Sequence, residues 1–168
     1  MLTILIDPEK RSAGLLVVAG KRILLLRRSR RSGNGGTWGL PGGQLDRREP
    51  VYAAAVRESL EELAGLPRHA VVGHAAVQRR ARRYEVLACR VPRDTRRAWA
   101  PTLNHEHDDW RWVTRSWCRE HRHRLHPVVR ALVDDPAGRR WLRDMVRCEE
   151  PAALPGGRRA SDGLWRAA

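Results

Sequence analysis

The stretch from Gly14 to Arg27 most constrains the fold. Two runs rich in Val, Ile and Leu, residues 14–19 and 22–27, meet at Gly20-Lys21. This is the pattern of a β-hairpin that opens a core sheet. The same polar interruption leaves neither run long enough to span a bilayer, and the start of the chain lacks the layout of a signal peptide. A cytoplasmic protein with no membrane partner is therefore expected. Further strands are predicted at 71–77, 84–91 and 110–113, where β-branched and aromatic residues concentrate.

Between the first hairpin and residue 50 the chain is glycine-rich and polar, which predicts a loop closing in a sharp turn at Pro41-Gly42-Gly43. Pro50 suits a first helical position, and good helix formers follow to Leu63. His126-Pro127 and Asp135-Pro136 each read as a cap followed by a helix. The length of 168 residues fits one domain, placed at 1–148. Residues 149–168 lack periodicity and read as a mobile tail, with Trp165 the side chain that could anchor it.

The 33 basic residues, nearly all arginine, against 19 acidic ones give a formal charge of +14. Guanidinium groups pair bidentately with phosphate, so polyphosphate or nucleic-acid partners are expected, although net charge also serves plain solvation. Cys89, Cys118 and Cys148 are odd in number and widely spaced, as free thiols in a reducing compartment would be.

On the helix after Pro50, a 100° step gathers Ala53, Val56, Leu60 and Leu63 into one stripe and sets Glu58, Glu61 and Glu62 opposite. Like charges at i, i+3 and i+4 repel by a few tenths of a kcal/mol per pair, about 0.2–0.5. A hard divalent cation would reverse that cost. Magnesium, which takes carboxylate oxygens and shares itself with substrate phosphates, suits the set, with manganese as the alternative. A solvated acidic face is the other reading.

Gly43, Glu49, Arg57-Glu58 and Glu61-Glu62 stand at the spacings of G-x5-E-x7-R-E-U-x-E-E, and Gly36-Thr37-Trp38-Gly39-Leu40-Pro41-Gly42-Gly43 precedes them. The pattern resembles the Nudix box with its usual lead-in. The resemblance implies an α/β fold, the Nudix-type α/β/α sandwich with a mixed sheet and a loop-helix-loop catalytic motif. It implies magnesium-dependent hydrolysis of a diphosphate linkage in a nucleotide-like substrate. Glu58, Glu61 and Glu62 would hold the metal, the carbonyl of Gly42 would add a ligand, and Arg57 with Glu49 would orient the cluster. Three positions depart from the box. Ser59 stands at an aliphatic site, Ala64 at the glycine and Gly65 at the last aliphatic site, which predicts one further residue of helix before a left-handed cap at Gly65.

A MutT-like nucleoside triphosphatase is the favoured member of the family. Signatures for ADP-ribose and coenzyme A substrates are absent around 80–82 and 25–43. Tyr84 lies at a spacing resembling that in dinucleoside polyphosphate hydrolases. Hydrolysis of RNA 5′ ends and a non-catalytic nucleotide- or nucleic-acid-binding module are the alternatives that the charge favours. Glu106, in a polar loop with Asp108 and Asp109, is the candidate general base or extra metal ligand. His105, His107, His121, His123 and His126 lack the spacing of a zinc site. Trp38, Trp110 and Trp112 either stack on a base or fill the core.

Overall fold

A computed structural model describes residues 10–149 and the backbone of Leu164–Trp165. The hairpin is present as β1 (Lys10–Ala19) and β2 (Arg22–Arg28), with Gly20 at φ +57 in the turn. The glycine-rich segment contains two short strands, β3 (Trp38–Gly39) and β4 (Gly42–Gln44). Residues 42–44 are thus not the tail of a turn but a strand on β1, registered Ser12↔Gln44 through Gly14↔Gly42. Helix α1 (Val51–Leu63) follows, then β5 (Leu66–Pro67), β6 (Ala70–Arg79) and β7 (Arg82–Val91). After a short α2 (Thr95–Ala98) come β8 (His107–Val113), α3 (Arg115–Glu120), a 3-10 turn at Arg122–Arg124, α4 (Pro127–Asp134) and α5 (Pro136–Arg147). The two expected proline starts are real: His126 caps α4 and Asp135 caps α5 through their side chains.

The mixed sheet is built around β1, which pairs in parallel with β7 from Lys10↔Arg82 to Ala19↔Val91. Its other edge is shared, β2 taking the C-terminal end and β4 the N-terminal end. β6 extends the sheet beyond β7, while β2 carries β3 and β8. Helices cover both faces, so the central strands are buried on both sides and read as continuous apolar runs. Along β1, Leu15, Val17 and Ala19 pack towards α1, and Leu16 and Val18 towards α4 and α5. This is an α/β/α sandwich. No helix among the described residues is long and apolar enough to cross a membrane.

Helix α1 departs from the expected stripe. Its fully buried residues are Ala54, Ala55, Ser59, Glu62 and Leu63; of the expected stripe, Val56 and Leu60 pack on the core partly buried and Ala53 is exposed. Glu62 therefore belongs to the packed face and not to its opposite. The helix also ends where the box would have it end: Ala64 itself takes the left-handed cap, φ 55 and ψ 16, and its N–H donates to the Leu60 carbonyl. The extra helical residue expected before Gly65 does not form.

Most of the segment read as a tail lies outside the described residues. Leu164–Trp165 forms a short strand, β9, antiparallel to β5 with Leu66↔Trp165 and Pro67↔Leu164.

Candidate active site

Small residues on the buried face of α1 let the helix lie close to β1 and β4, and this places its glutamates under the Gly42–Gly43 strand. Gly42 has φ +146, and a Cβ there would collide with the Ala13 carbonyl and Gly14. A Cβ at Gly43 would occupy the place of the Glu58 carboxylate. Only glycine permits both approaches. The Gly42 N–H donates to Glu62 Oε2 at 2.8 Å.

The three glutamates differ in environment. Glu62 is 4% exposed at its side chain, Glu58 21% and Glu61 60%. Burial pushes the Glu62 carboxyl up to about 8; the Gly42 N–H pulls the other way, and nearby Glu106 and Glu58 push it further. Arg57 organises the rest. It grips both oxygens of Glu49 at 3.0 and 2.9 Å, donates to Glu58 at 2.8 Å and to the Gln44 carbonyl at 3.0 Å, and reaches Glu61 at 3.5 Å. The i, i+4 pair with Glu61 is its longest bond to a glutamate. Arg57 holds Glu49 down to about 2, with help from the Asp46 N–H, and its own pKa is raised by Glu49 and Glu58.

The loop before β8 is fastened to the end of α1. The N–H groups of Thr102 and Asn104 donate to the carbonyls of Leu63 and Glu62 at 3.1 and 3.2 Å. That fastening brings Glu106 to the acidic cluster, where its carboxylate lies 3.8 Å from Arg28. Asp108 and Asp109 are directed elsewhere, Asp108 to Arg27 at 2.5 Å and Asp109 to Arg27 and Arg111 at 4.0 and 3.8 Å. His107 is buried with Nε2 4.0 Å from Glu62 Oε1. Burial first, and then Arg28, hold it down to about 4, so it meets Glu62 as a neutral ring.

A cleft of about 890 Å3 opens beside Gly42 and Gly43, in the size range of small-molecule sites. Arg28, Tyr84 and His126 line it. His126 Nδ1 accepts from the Val128 N–H at 3.4 Å, and its Nε2 lies 3.3 Å from Asn34 Nδ2. Burial, Arg28 and Arg79 hold that ring down to about 4. Tyr84 is raised by burial and by Glu62.

Arg28, His107 and His126 were not singled out for this site by sequence, because they come from elements far apart in the chain. Away from this site, His121 bonds the Trp117 carbonyl and stacks on that ring. Trp38 fills the core at 1% exposure, and Trp110 and Trp112 pack against the α1 side of the sheet. As the side chains stand, no group of three or more His, Cys, Asp or Glu among the described residues is gathered to hold an ion. Arg57 meets the charge of Glu58 and Glu61. The donor set is nonetheless of the right chemistry for a hard cation: oxygen ligands only, one carboxylate buried with no cation bonded to it, and glycines that leave room beside them.

A mixed sheet between helices, with an acidic helix entered through a Gly-Gly strand, defines an α/β/α sandwich with a loop-helix-loop site. The chain belongs to the Nudix family, whose domain model matches residues 8–135. Over 60 residues it is 50% identical to a Mycobacterium tuberculosis protein named "Putative 8-oxo-dGTP diphosphatase 3". That match takes in 33% of this chain and 27% of the relative, so the chain spans about a quarter of the relative's length. Among solved structures it is similar to a Nudix hydrolase from M. smegmatis, RenU, with TM-score 0.69 and 23% identity over 86% of this chain and 91% of that one. It is also similar to a MutT protein from Methanosarcina mazei Go1, with TM-score 0.62 and 23% identity over 82% and 97%. At these identities the structural likeness is one of fold.

Proposed function

We propose that the chain hydrolyses a diphosphate linkage in a nucleotide-type substrate, a (deoxy)nucleoside triphosphate first among them, with Mg2+ or Mn2+ as cofactor. The observation that carries this reading is Glu62. Its carboxylate is 4% exposed, bonded by the Gly42 N–H and crowded by Glu58 and Glu106, a set of acidic oxygens suited to a hard cation. Glu58, Glu61 and Glu62 would hold the ion together with the Gly42 carbonyl. When bound, the ion neutralises phosphoryl oxygens and stabilises the charge that develops as the linkage breaks. Arg57 and Glu49 orient the carboxylates, and Arg28 is placed in the cleft to bond a phosphoryl oxygen. Glu106 Oε takes the proton of the attacking water.

The name of the mycobacterial relative puts 8-oxo-dGTP in the first panel of substrates, beside dGTP and the other nucleoside triphosphates. Release of phosphate or pyrophosphate with magnesium is the measurement. Glu61→Gln and Glu62→Gln should lower turnover by orders of magnitude, roughly a hundredfold or more, with unchanged circular dichroism. Glu106→Gln should lower kcat more than it raises KM, with Asp108→Asn as the control. Near-normal turnover in both helix variants at limiting magnesium would end the metal assignment. Release from no nucleotide would favour a binding module without turnover.

A further inference from the structure

The β6–β7 hairpin has two electrostatically different faces. On one, buried Glu85 accepts from Arg83 and His74 at 2.7 Å and from Arg11 at 3.1 Å, so positive charge there is answered. On the other, Val77, Arg79, Arg82 and Tyr84 line the cleft. Arg79 and Arg82 stand directly opposite one another in the register, both exposed, and neither forms an ion pair among the described residues. Like charges so placed work against strand pairing. At the tip between them Arg80 takes φ +51, a conformation that glycine or asparagine ordinarily supplies. Arginines thus occupy three of four successive positions at a cost to the hairpin. Strain and unanswered charge kept together beside a cleft point to a ligand.

The cleft also differs in charge between its two borders. Gly42 and Gly43 border it with Glu58 and Glu62 behind them, and Arg79 and Arg82 border it on the hairpin. A ligand that places one diphosphate at the glutamates and continues along the cleft meets guanidinium groups suited to bidentate phosphate contact.

We propose that Arg79 and Arg82 form a second anion site, which takes phosphate groups lying beyond the diphosphate cut at the glutamates; this rests on the hydrolase reading above. Beside a mononucleoside triphosphate, the cleft then also takes a longer substrate and holds it more tightly. The shared chemistry is a continued row of phosphates, supplied either by the internucleotide phosphates of a 5′-triphosphorylated RNA or by the bridge of a dinucleoside polyphosphate.

Binding to the full chain is measured in EDTA, where no metal-dependent turnover occurs, with three probes: dGTP, diadenosine tetraphosphate and a fluorescein-labelled 5′-triphosphorylated RNA of about ten nucleotides, a length within single-strand site sizes. At least one longer probe should bind about tenfold or more tighter than dGTP, and Arg79→Ala/Arg82→Ala should abolish that advantage. If the RNA is the favoured probe, its log-log salt slope should also fall by on the order of 1, since each single-strand phosphate contact contributes roughly 0.7. Gain with the RNA alone assigns the internucleotide phosphates, and gain with the tetraphosphate alone assigns the bridge. Arg119→Ala/Arg140→Ala removes the same charge from distant helices and should leave the advantage in place. Arg79→Gln/Arg82→Gln keeps polar side chains at the tip, and should behave like the alanine pair with an undiminished melting temperature. Equal affinity for all three probes, an equal loss on all three in the variant, or an equal effect of the distant pair overturns the second site. Absence of turnover on every nucleotide would instead overturn the hydrolase reading while the EDTA binding result stands.

Discussion

Ser59 lies at 0% exposure in the middle of α1, its hydroxyl without a hydrogen-bond partner among the described residues, at a position where an aliphatic residue is expected. An unsatisfied buried hydroxyl costs about 1–3 kcal/mol, and alanine is the better helix former. Ser59→Ala should therefore raise stability by about 1 kcal/mol, seen as a melting temperature higher by roughly 2–4 °C. An unchanged or lower value would mean that the hydroxyl has a partner. At this scale the site was legible wherever its residues share a local spacing. Glu58, Glu61, Glu62, Arg57 and Glu49 fall within one helix and its entry. Arg28 and His126 reach the cleft beside Gly42 and Gly43 from β2 and from the cap of α4, and no interval in the sequence links them to the glutamates behind those glycines.

Helix α1 shows why the element was easier to find than to orient. Its start after Pro50 and its end at Leu63 follow from local signals, but apart from Leu63 the fully buried positions are alanines, a serine and a glutamate. Small side chains give a weak hydrophobic signal although they let backbones approach closely, and the buried Glu62 inverts the usual rule at a functional position. Val56 and Leu60 pack on the same core but stay partly exposed, so the stripe they mark with Leu63 lies to one side of the fully buried face. β4 was hidden for a related reason, since Gly42 and Gly43 read as a turn when nothing in the sequence shows that β1 lies beside them. The end of the helix offers its own test. Ala64 in the left-handed region bears a cost of about 1–2 kcal/mol that glycine does not. Ala64→Gly should stabilise the protein by about 1 kcal/mol in denaturant melts, and a loss of stability would contradict the left-handed cap.

Across the whole molecule, Glu85 joins three elements, since Arg83, His74 and Arg11 converge on it from β7, β6 and β1. Burial alone would raise its carboxyl, but the bonds from Arg83, His74 and Arg11 outweigh burial and hold it down at about 2, against an ordinary 4.5. A depressed carboxylate stabilises the fold above its unfolded value. That contribution is complete above about pH 4.5 and is lost as pH falls towards 2. The three partners are about half exposed and their bonds are screened, so Glu85→Gln should cost only about 1–2 kcal/mol near neutrality. Its melting-temperature deficit should close as pH is lowered from 5 to about 2. A deficit that persists undiminished at the lower limit would mean that Glu85 acts through shape alone. The parallel partnership of β1 with β7 bears on how the chain acquires this structure. Residue 10 waits for residue 82 and residue 19 for residue 91, with β2 to β6 and α1 between them in sequence. Local hairpins can close early, whereas joining distant segments first requires the intervening chain to be gathered in, which is entropically unfavourable and slow. During synthesis, the middle of the sheet cannot form until Val91 has left the ribosome, and until then β1 is an apolar strand with an open edge.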